Sequence, residues 1–266
     1  MKDVKVGIIG CGAVAETCHL PAANRVPEVK VKALADIDEE QALRIAEKFH
    51  LRDVSIHKDY REMLRSSDID AVWILTPPKL HAGMVVEALK SGKHVLCEKP
   101  LATSLGEVAI IRETLTEKAW GSKSLILMPA HNFIFTPCLD RGLQLLRGGE
   151  IGKLRRIVGR AVSNIAFYKA KTDFRIQAKG GAIEDQMPHI LYLSQDVGGP
   201  VKRVSPVEPY SRGQAVAADA SVEAELIDGV KADLSAGWSG LIPKLKFEII
   251  GESGSISMDI LRTPYN

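Results

Sequence analysis

Between residues 4 and 129 the sequence alternates short, almost wholly apolar runs with longer segments whose apolar residues recur every three or four positions. Parallel strands joined by crossover helices account for both periods at once. The strand candidates are Val4–Ile9, Val29–Ala35, 71–75, His94–Cys97 and 124–128, all short and mostly apolar, as strands covered on both faces are. Between them, the segment 39–49 places Ala42, Ile45, Ala46 and Phe49 on one helical face, and 80–89 does the same with Met84, Val85, Ala88 and Leu89 before Gly92 as a stop signal. A third helix is predicted over Leu105–Thr116, with Ser104 as N-cap and Glu107 completing a capping box.

Past residue 131 the period changes to two. Val222, Ala224 and Leu226 face Val230, Ala232 and Leu234 across Asp228-Gly229, a hairpin signal. The segments 244–250 and 255–258 add strands, and 181–197 reads as a long helix. The expected fold is α/β: an N-terminal doubly wound parallel sheet of the Rossmann type over residues 1–130, then a C-terminal α+β domain on a largely antiparallel open sheet over residues 131–266. A chain of 266 residues reaches the size at which one core stops growing, which favours two domains. No internal repeat, low-complexity tract or Gly/Ser linker separates them.

Charge and cysteine usage narrow the function classes. Lys and Arg total 35 against 33 for Asp and Glu, so there is little global field for a polyanion and no nucleic-acid partner is expected. The densest basic cluster, Lys153, Arg155, Arg156 and Arg160, is interleaved with apolar residues and reads as a solvated strand face. Cys11, Cys18, Cys97 and Cys138 form no C-x-x-C pair, which points to reduced thiols in a cytoplasmic protein without structural zinc or another metal. Met1 to Asp3 leads into a strand without a signal-type region, and no uncharged apolar run reaches about 18 residues, so neither secretion nor a membrane is expected.

Directly after the first strand come Gly10, Cys11, Gly12, Ala13, Val14 and Ala15, a G-x-G-x-x-A turn opening a helix. Gly10 permits the tight turn, Gly12 lets backbone approach a pyrophosphate, and Ala15 allows helix and strand to pack closely. The helix N-terminus then offers unpaired N–H groups and a favourable dipole. Asp36 ends the second strand, where an acid accepts hydrogen bonds from the adenosine ribose and repels a 2′-phosphate. The expected cofactor is therefore NAD rather than NADP. Asp36 as a cap for the following segment is the competing assignment, and Asp38 stands close by.

The motifs TPPKLH (Thr76 to His81) and EKP (Glu98 to Pro100), in this order after the glycine turn, resemble those of the glucose-fructose oxidoreductase, inositol dehydrogenase and MocA family, and the resemblance runs to about Met258. It implies a Rossmann domain followed by a substrate domain whose open sheet often forms a homo-oligomer, and an NAD(P)-dependent dehydrogenase or reductase acting on a small polyhydroxylated substrate. It places Thr76, Pro77 and His81 beside the cofactor, with Glu98 and Lys99 at the end of the next strand and a cis bond before Pro100. Lys99 is suited to hydrogen-bond a carbinol or carbonyl oxygen and stabilise alkoxide character during hydride transfer.

By the same resemblance, Asp185 and His189 match an Asp-x-x-x-His pair, with His189 as proton acceptor or donor and Asp185 orienting substrate and base. Their spacing puts both on one helical face. Gly180 and Gly181 match the family's glycine-rich approach to this helix. Asn132 and Arg175 are substrate candidates, with Tyr168 a weaker one. Lys179 and Met187 stand where glycine is common in the family and are expected to narrow or reshape the pocket, Ile134 stands where an arginine is frequent and weakens the substrate contacts implied for that segment, Pro188 removes a helical donor, and many members continue beyond the segment matching Met258, so a sheet edge or closing helix is expected to be reduced. The leading expectation is hydride transfer between NAD and a secondary alcohol or ketone of a sugar, cyclitol or sugar nucleotide. The alternatives are an enzyme that retains NAD and performs redox-assisted hydrolysis or epimerisation, and a non-catalytic NAD-binding sensor.

Overall fold

A computed structural model describes residues 3–66, 68–116, 124–164, 180–205, 208–210 and 219–262. The chain divides into two compact units, Met1–Ala130 and His131–Asn266.

The first unit is a six-stranded sheet in which β1 (Val4–Ile9), β2 (Val29–Ala35), β3 (Ser55–His57), β4 (Ala71–Ile74), β5 (His94–Cys97) and β6 (Leu127–Pro129) run parallel in the order β3-β2-β1-β4-β5-β6. This is the doubly wound order, with its reversal between β1 and β4. Alternate residues of the inner strands feed two separate cores. Val6, Ile8 and Leu34 join Ala42 and Ile45 of α2 (Glu39–Lys48), whereas Ile9, Ala33, Ala35, Val72 and Ile74 join residues of α3 (Tyr60–Ser66), α4 (Pro78–Lys90) and α5 (Leu105–Thr116). The period-two alternation of strand side chains thus fills both faces of the sheet.

Element ends differ from expectation where local chemistry outweighs the apolar pattern. Helix α4 begins two residues early because Pro78 occupies its first turn behind Pro77, a position where the missing N–H costs nothing. Strand β6 begins at Leu127 rather than 124. The cap of α5 is a shifted capping box: Ser104 Oγ accepts the Glu107 N–H at 3.2 Å, but Glu107 reaches back to the N–H of Thr103, at 2.6 Å, rather than to that of Ser104.

The second unit carries a mixed, mostly antiparallel sheet in the order β13-β12-β7-β11-β10-β8, with β9 also on β10. Its strands are β7 (Leu154–Asn164), β8 (Val201–Val204), β9 (Glu208–Tyr210), β10 (Asp219–Leu226), β11 (Lys231–Gly237), β12 (Ser239–Gly251) and β13 (Ser255–Asp259). Only the β7–β11 pairing is parallel among them. The β10–β11 hairpin turns at Asp228 and Gly229, whose φ angles of 62° and 74° are the pair of positive values that an Asp-Gly turn accommodates. Arg155, Arg156 and Arg160 of the basic cluster lie on β7, where Arg155 pairs with Glu252 of the β12–β13 turn and Arg156 with Asp233 of β11.

Among the described residues, helices α6 (Pro137–Arg147) and α7 (Ala182–Gly198) share this unit's core. Helix α7 lies very close to the sheet: a Cβ on Gly159 of β7 would stand 3.1 Å from Ile190 Cβ and 3.0 Å from Leu234 Cδ2. Gly181, at φ 53° and ψ −127°, is the N-cap of α7, in backbone space that only glycine enters readily. Pro188 lies inside the helix without ending it.

Candidate active site

The glycine turn sits where the strand order reverses. Gly10 has φ 94°, and a Cβ on it would lie 2.9 Å from the carbonyl oxygen of Leu75 at the end of β4, so both conformation and close approach require glycine. Its N–H donates to Ala35 O at 2.8 Å, holding the turn against β2. Gly12 differs: it is exposed, and a Cβ there would meet nothing within 4 Å. The second glycine therefore fronts open space, the feature a pyrophosphate cradle needs. Ala13 and Val14 begin the helical segment, Ala15 is fully buried, and the π-helical turn Ala15–His19 runs into α1 (Leu20–Ala23). Single π turns of this kind concentrate at functional sites.

Asp36 is built into the turn rather than merely near it. Its Oδ2 accepts the Cys11 N–H at 2.7 Å and its Oδ1 the Asp38 N–H at 3.0 Å. The Cys11 carbonyl accepts from Gln41 Nε2 at 2.7 Å, so both polar groups of this buried residue are held by side chains from the β2–α2 region. The cap of α2 is Asp38, which accepts the Gln41 N–H at 3.3 Å. That separates the two acids: Asp38 caps, and Asp36 faces the turn. Burial, then the charge of Asp36, pushes the Cys11 thiol up to about 12. The donor set of the turn, the open space over Gly12 and an acid at the end of β2 together fit a dinucleotide whose ribose 2′-hydroxyl is free.

Thr76 and Pro77 follow β4, and Glu98 and Lys99 follow β5, so both motifs emerge at carboxyl ends of strands beside the turn. Thr76 Oγ1 contacts Met84 Sδ at 3.4 Å, and Pro77 caps α4. His81 is fully buried, with Nε2 2.7 Å from Thr76 O and Nδ1 2.7 Å from Pro100 O. Its ring is engaged by the protein's own backbone, tying the loop after β4 to the loop after β5. The Lys99–Pro100 bond is cis. Glu98 bonds His19 Nε2 at 2.8 Å and accepts the Lys99 N–H at 3.2 Å. Burial pushes its carboxyl up, but His19 and Lys99 outweigh burial and hold it below the usual range.

In the second unit, Asn132 and His189 are brought together by Tyr192. The Tyr192 hydroxyl lies 3.1 Å from His189 Nδ1, donates to Asn132 Oδ1 at 3.4 Å and accepts the Phe133 N–H at 3.3 Å. Asp185 is buried, and its Oδ2 accepts from Gln186 Nε2 at 2.7 Å and from Trp238 Nε1 at 3.3 Å. Met187, read as reshaping a pocket, is instead a buried core residue, and Ile134 packs against the same core. Tyr168, Arg175 and Lys179 lie outside the described residues.

Sequence reading did not single out His19, Gln41, Tyr192 or Trp238. Tyr192 carried a usable signal, since it stands three residues after His189 on one helix and such pairs are neighbours. The others reach their partners from 79, 30 and 53 positions away, and no local pattern marks them. Among the described residues there is no cluster of three or more His, Cys, Asp or Glu placed to hold a metal, and no helix long and apolar enough to cross a membrane.

Two family models match the chain: an oxidoreductase family with an NAD-binding Rossmann fold over residues 4–120, and the GFO/IDH/MocA C-terminal domain over residues 142–257. The chain is 35% identical over 185 residues to a dTDP-3,4-didehydro-2,6-dideoxy-alpha-D-glucose 3-reductase of Saccharopolyspora spinosa, matching 69% of this chain but only 53% of that protein. It is 30% identical to the enzyme of the same name from Actinomadura kijaniata, over 99% of this chain and 76% of the relative. Among solved structures, a 3-ketoreductase from Actinomadura kijaniata in complex with TDP-benzene and NADP superposes with a TM-score of 0.82 at 27% identity, covering 99% of this chain and 78% of that one.

Proposed function

The chain belongs to the Gfo/Idh/MocA oxidoreductase family, and from that premise we propose that it transfers a hydride between NAD and a secondary alcohol or ketone of a sugar, cyclitol or sugar nucleotide. The observation that carries this reading is the arrangement of Gly10 to Ala15, Thr76 and Glu98-Lys99 at the carboxyl ends of the adjacent strands β1, β4 and β5, where open α/β sheets bind ligands. The sugar-nucleotide option draws on the two reductases to which the chain is similar. The domain roles follow: residues 1–130 bind the dinucleotide, and residues 131–266 bind substrate and form a homo-oligomer. A cytoplasmic location is supported by the four cysteines, all free thiols.

Bound NAD supplies the hydride acceptor or donor at its nicotinamide ring. Gly12 admits the pyrophosphate beside the turn, Asp36 accepts from the ribose hydroxyls, and Thr76 and Pro77 border the cofactor. The preference for NAD over NADP rests on Asp36, whose carboxylate repels a 2′-phosphate. Lys99 donates to the reacting oxygen and stabilises its alkoxide character. His189 takes the hydroxyl proton during oxidation and returns it during reduction. Asp185, held by Gln186 and Trp238, orients substrate, while Asn132 and Arg175 supply further substrate contacts.

The test is NADH formation across a panel of sugars, cyclitols and sugar nucleotides, for the native protein and for Lys99→Ala and His189→Ala. Each variant is expected to lose roughly 10²-fold or more in kcat, the usual contribution of a charge stabiliser or positioned base. Equal rates in all three proteins overturn the mechanism. Product without NADH accumulation would instead indicate retained cofactor and net hydrolysis or epimerisation.

A further inference from the structure

We infer that His19 and Glu98 are positioning residues that seat the backbone of Lys99, joining the segment behind the glycine turn to the residue at the reacting oxygen. The inference rests on the role proposed for Lys99. The main chain around Lys99 is anchored on both sides: the Glu98 N–H donates to Ile74 O at 2.9 Å, and Pro100 O lies 2.7 Å from His81 Nδ1. Between them, the Lys99 N–H donates to Glu98 Oε2 at 3.2 Å, while Glu98 Oε1 is held by His19 Nε2 at 2.8 Å. Each carboxylate oxygen thus meets a different partner. The terminal torsion of a carboxylate is broad when nothing fixes it, so the contact with His19 keeps Oε2 in line with the Lys99 N–H.

His19 reaches Glu98 from 79 positions away because of the turn it ends. It is the last residue of the π-helical turn Ala15–His19, and a π turn holds more residues than an α turn, so its final side chain takes a direction that a continuous α-helix would not give it. The ring packs against Trp73 of β4 at a centroid distance of 5.6 Å and an interplanar angle of 53°, which limits its rotation away from Glu98. With 14% and 22% of their side chains exposed, His19 and Glu98 are largely out of water, and salt screens their contact little. Burial pushes the Glu98 carboxyl up, but His19 and Lys99 outweigh burial, so it is ionised near neutral pH and only accepts. His19 Nε2 accordingly carries a hydrogen. The contacts run from the segment that follows the glycine turn, through one carboxylate, to the N–H of Lys99. Lysine carries its ammonium on a flexible four-carbon stem, so a fixed backbone narrows where that ammonium can reach, and a misplacement of about 1 Å can cost on the order of 10²-fold in rate.

The experiment is residue-resolved amide hydrogen exchange of the full-length protein, read by ¹H–¹⁵N NMR without cofactor or substrate, with Lys99→Arg used to assign the Lys99 amide. In the native protein that amide is expected to be protected, and His19 Nε2 to show a pyrrole-type shift. In His19→Ala the Lys99 amide should exchange about tenfold faster or more, the effect of losing a bond to a charged acceptor, while the Val95 amide, bonded to Ile126 O at 2.8 Å, keeps its native rate. On a substrate that the native protein oxidises, kcat of this variant should fall about 10–100-fold. A pyridine-type Nε2 or an unprotected Lys99 amide in the native protein overturns the inference even if the variant does not fold. An unaltered Lys99 rate in folded His19→Ala, an equal acceleration at Val95, or native kcat despite faster Lys99 exchange overturns it as well. Because exchange is read without turnover, faster exchange at Lys99 together with full activity in Lys99→Ala would overturn the role proposed for Lys99 and not its seat.

Discussion

The backbone N–H of Cys11 donates to Oδ2 of Asp36 across 2.7 Å, joining the glycine turn after β1 to the acid that ends β2. One carboxylate therefore braces the turn and, in the proposed function, also selects the cofactor, and two substitutions separate the roles. Asp36→Asn keeps an oxygen for the Cys11 N–H but removes the charge, so stability is expected to stay within about 1 kcal/mol of the native protein. Asp36→Ala strands the buried Cys11 N–H and is expected to cost about 1–3 kcal/mol. Both should raise the NADP-to-NAD ratio of kcat/KM at least about tenfold, a free-energy change of about 1.4 kcal/mol. An unchanged ratio in Asp36→Asn removes Asp36 from cofactor selection.

The two glycines of the turn are expected to fail in opposite ways. Gly10→Ala forces a side chain into φ 94° and against Leu75 O at 2.9 Å, so thermal stability should fall by about 1–3 kcal/mol. Gly12→Val adds atoms where nothing lies within 4 Å of the first of them. Its melting temperature should match the native value, while NAD affinity drops about tenfold or more. Calorimetric melting and NAD titration of both variants check this, and a stability loss in Gly12→Val would contradict the open space over that residue.

The bounds of β1, β2 and β5 were legible from the sequence to the residue, because each mostly apolar run ends at a turn glycine or an acid, at Gly10, Asp36 and Glu98. Strand β3, Ser55–His57, has no such run: it is three residues long, half exposed and held at the sheet edge by pairing with β2. Helix α6 escaped notice for a different reason, since its core contacts come from β12 and β13 more than a hundred positions later: a Cβ on Gly142 would stand 2.7 Å from Met258 Sδ. At the site, the same limit applied. Motif residues such as Asp36 and Lys99 announce themselves by position after a strand, whereas Gln41 and Trp238 acquire meaning only once distant segments meet. Met187 was misplaced because a departure from the family pattern marks a position without saying whether its side chain meets core or cavity.

Glu98 and His19 provide a pH-dependent test. The folded-state carboxyl of Glu98 is depressed, so its contribution to stability is present above the ordinary value of 4.5 and is lost as pH falls through the lower folded-state value. The stability difference between the native protein and Glu98→Gln should accordingly be constant near neutrality and shrink in acid. In His19→Ala the opposing effect of burial is less well countered, and the Glu98 carboxyl should titrate at higher pH than in the native protein. Carbon-13 NMR of labelled glutamate reads this directly, and a Glu98 titration that moves down or not at all would show that His19 does not hold the carboxylate.

Packing between α7 and the second sheet should control His189 from a distance. Gly159 on β7 leaves 3.1 Å between a notional Cβ and Ile190 Cβ, and Ile190 follows His189 directly in the helix. Gly159→Val places two further methyl groups in that gap, and the helix must move away or the side chains must leave their rotamers, at a cost of about 1–3 kcal/mol. Since Tyr192 and Ile190 ride on the same helix while Phe133 and Asn132 do not, displacement of α7 should lengthen the bonds from Tyr192 to Phe133 and Asn132 but leave the Tyr192–His189 spacing within the helix intact. The expected result is a drop in kcat with NAD affinity unchanged, because the dinucleotide contacts proposed here belong to residues 1–130. Equal losses in kcat and NAD affinity would mean that the substitution acts on the whole fold and not through the placement of α7.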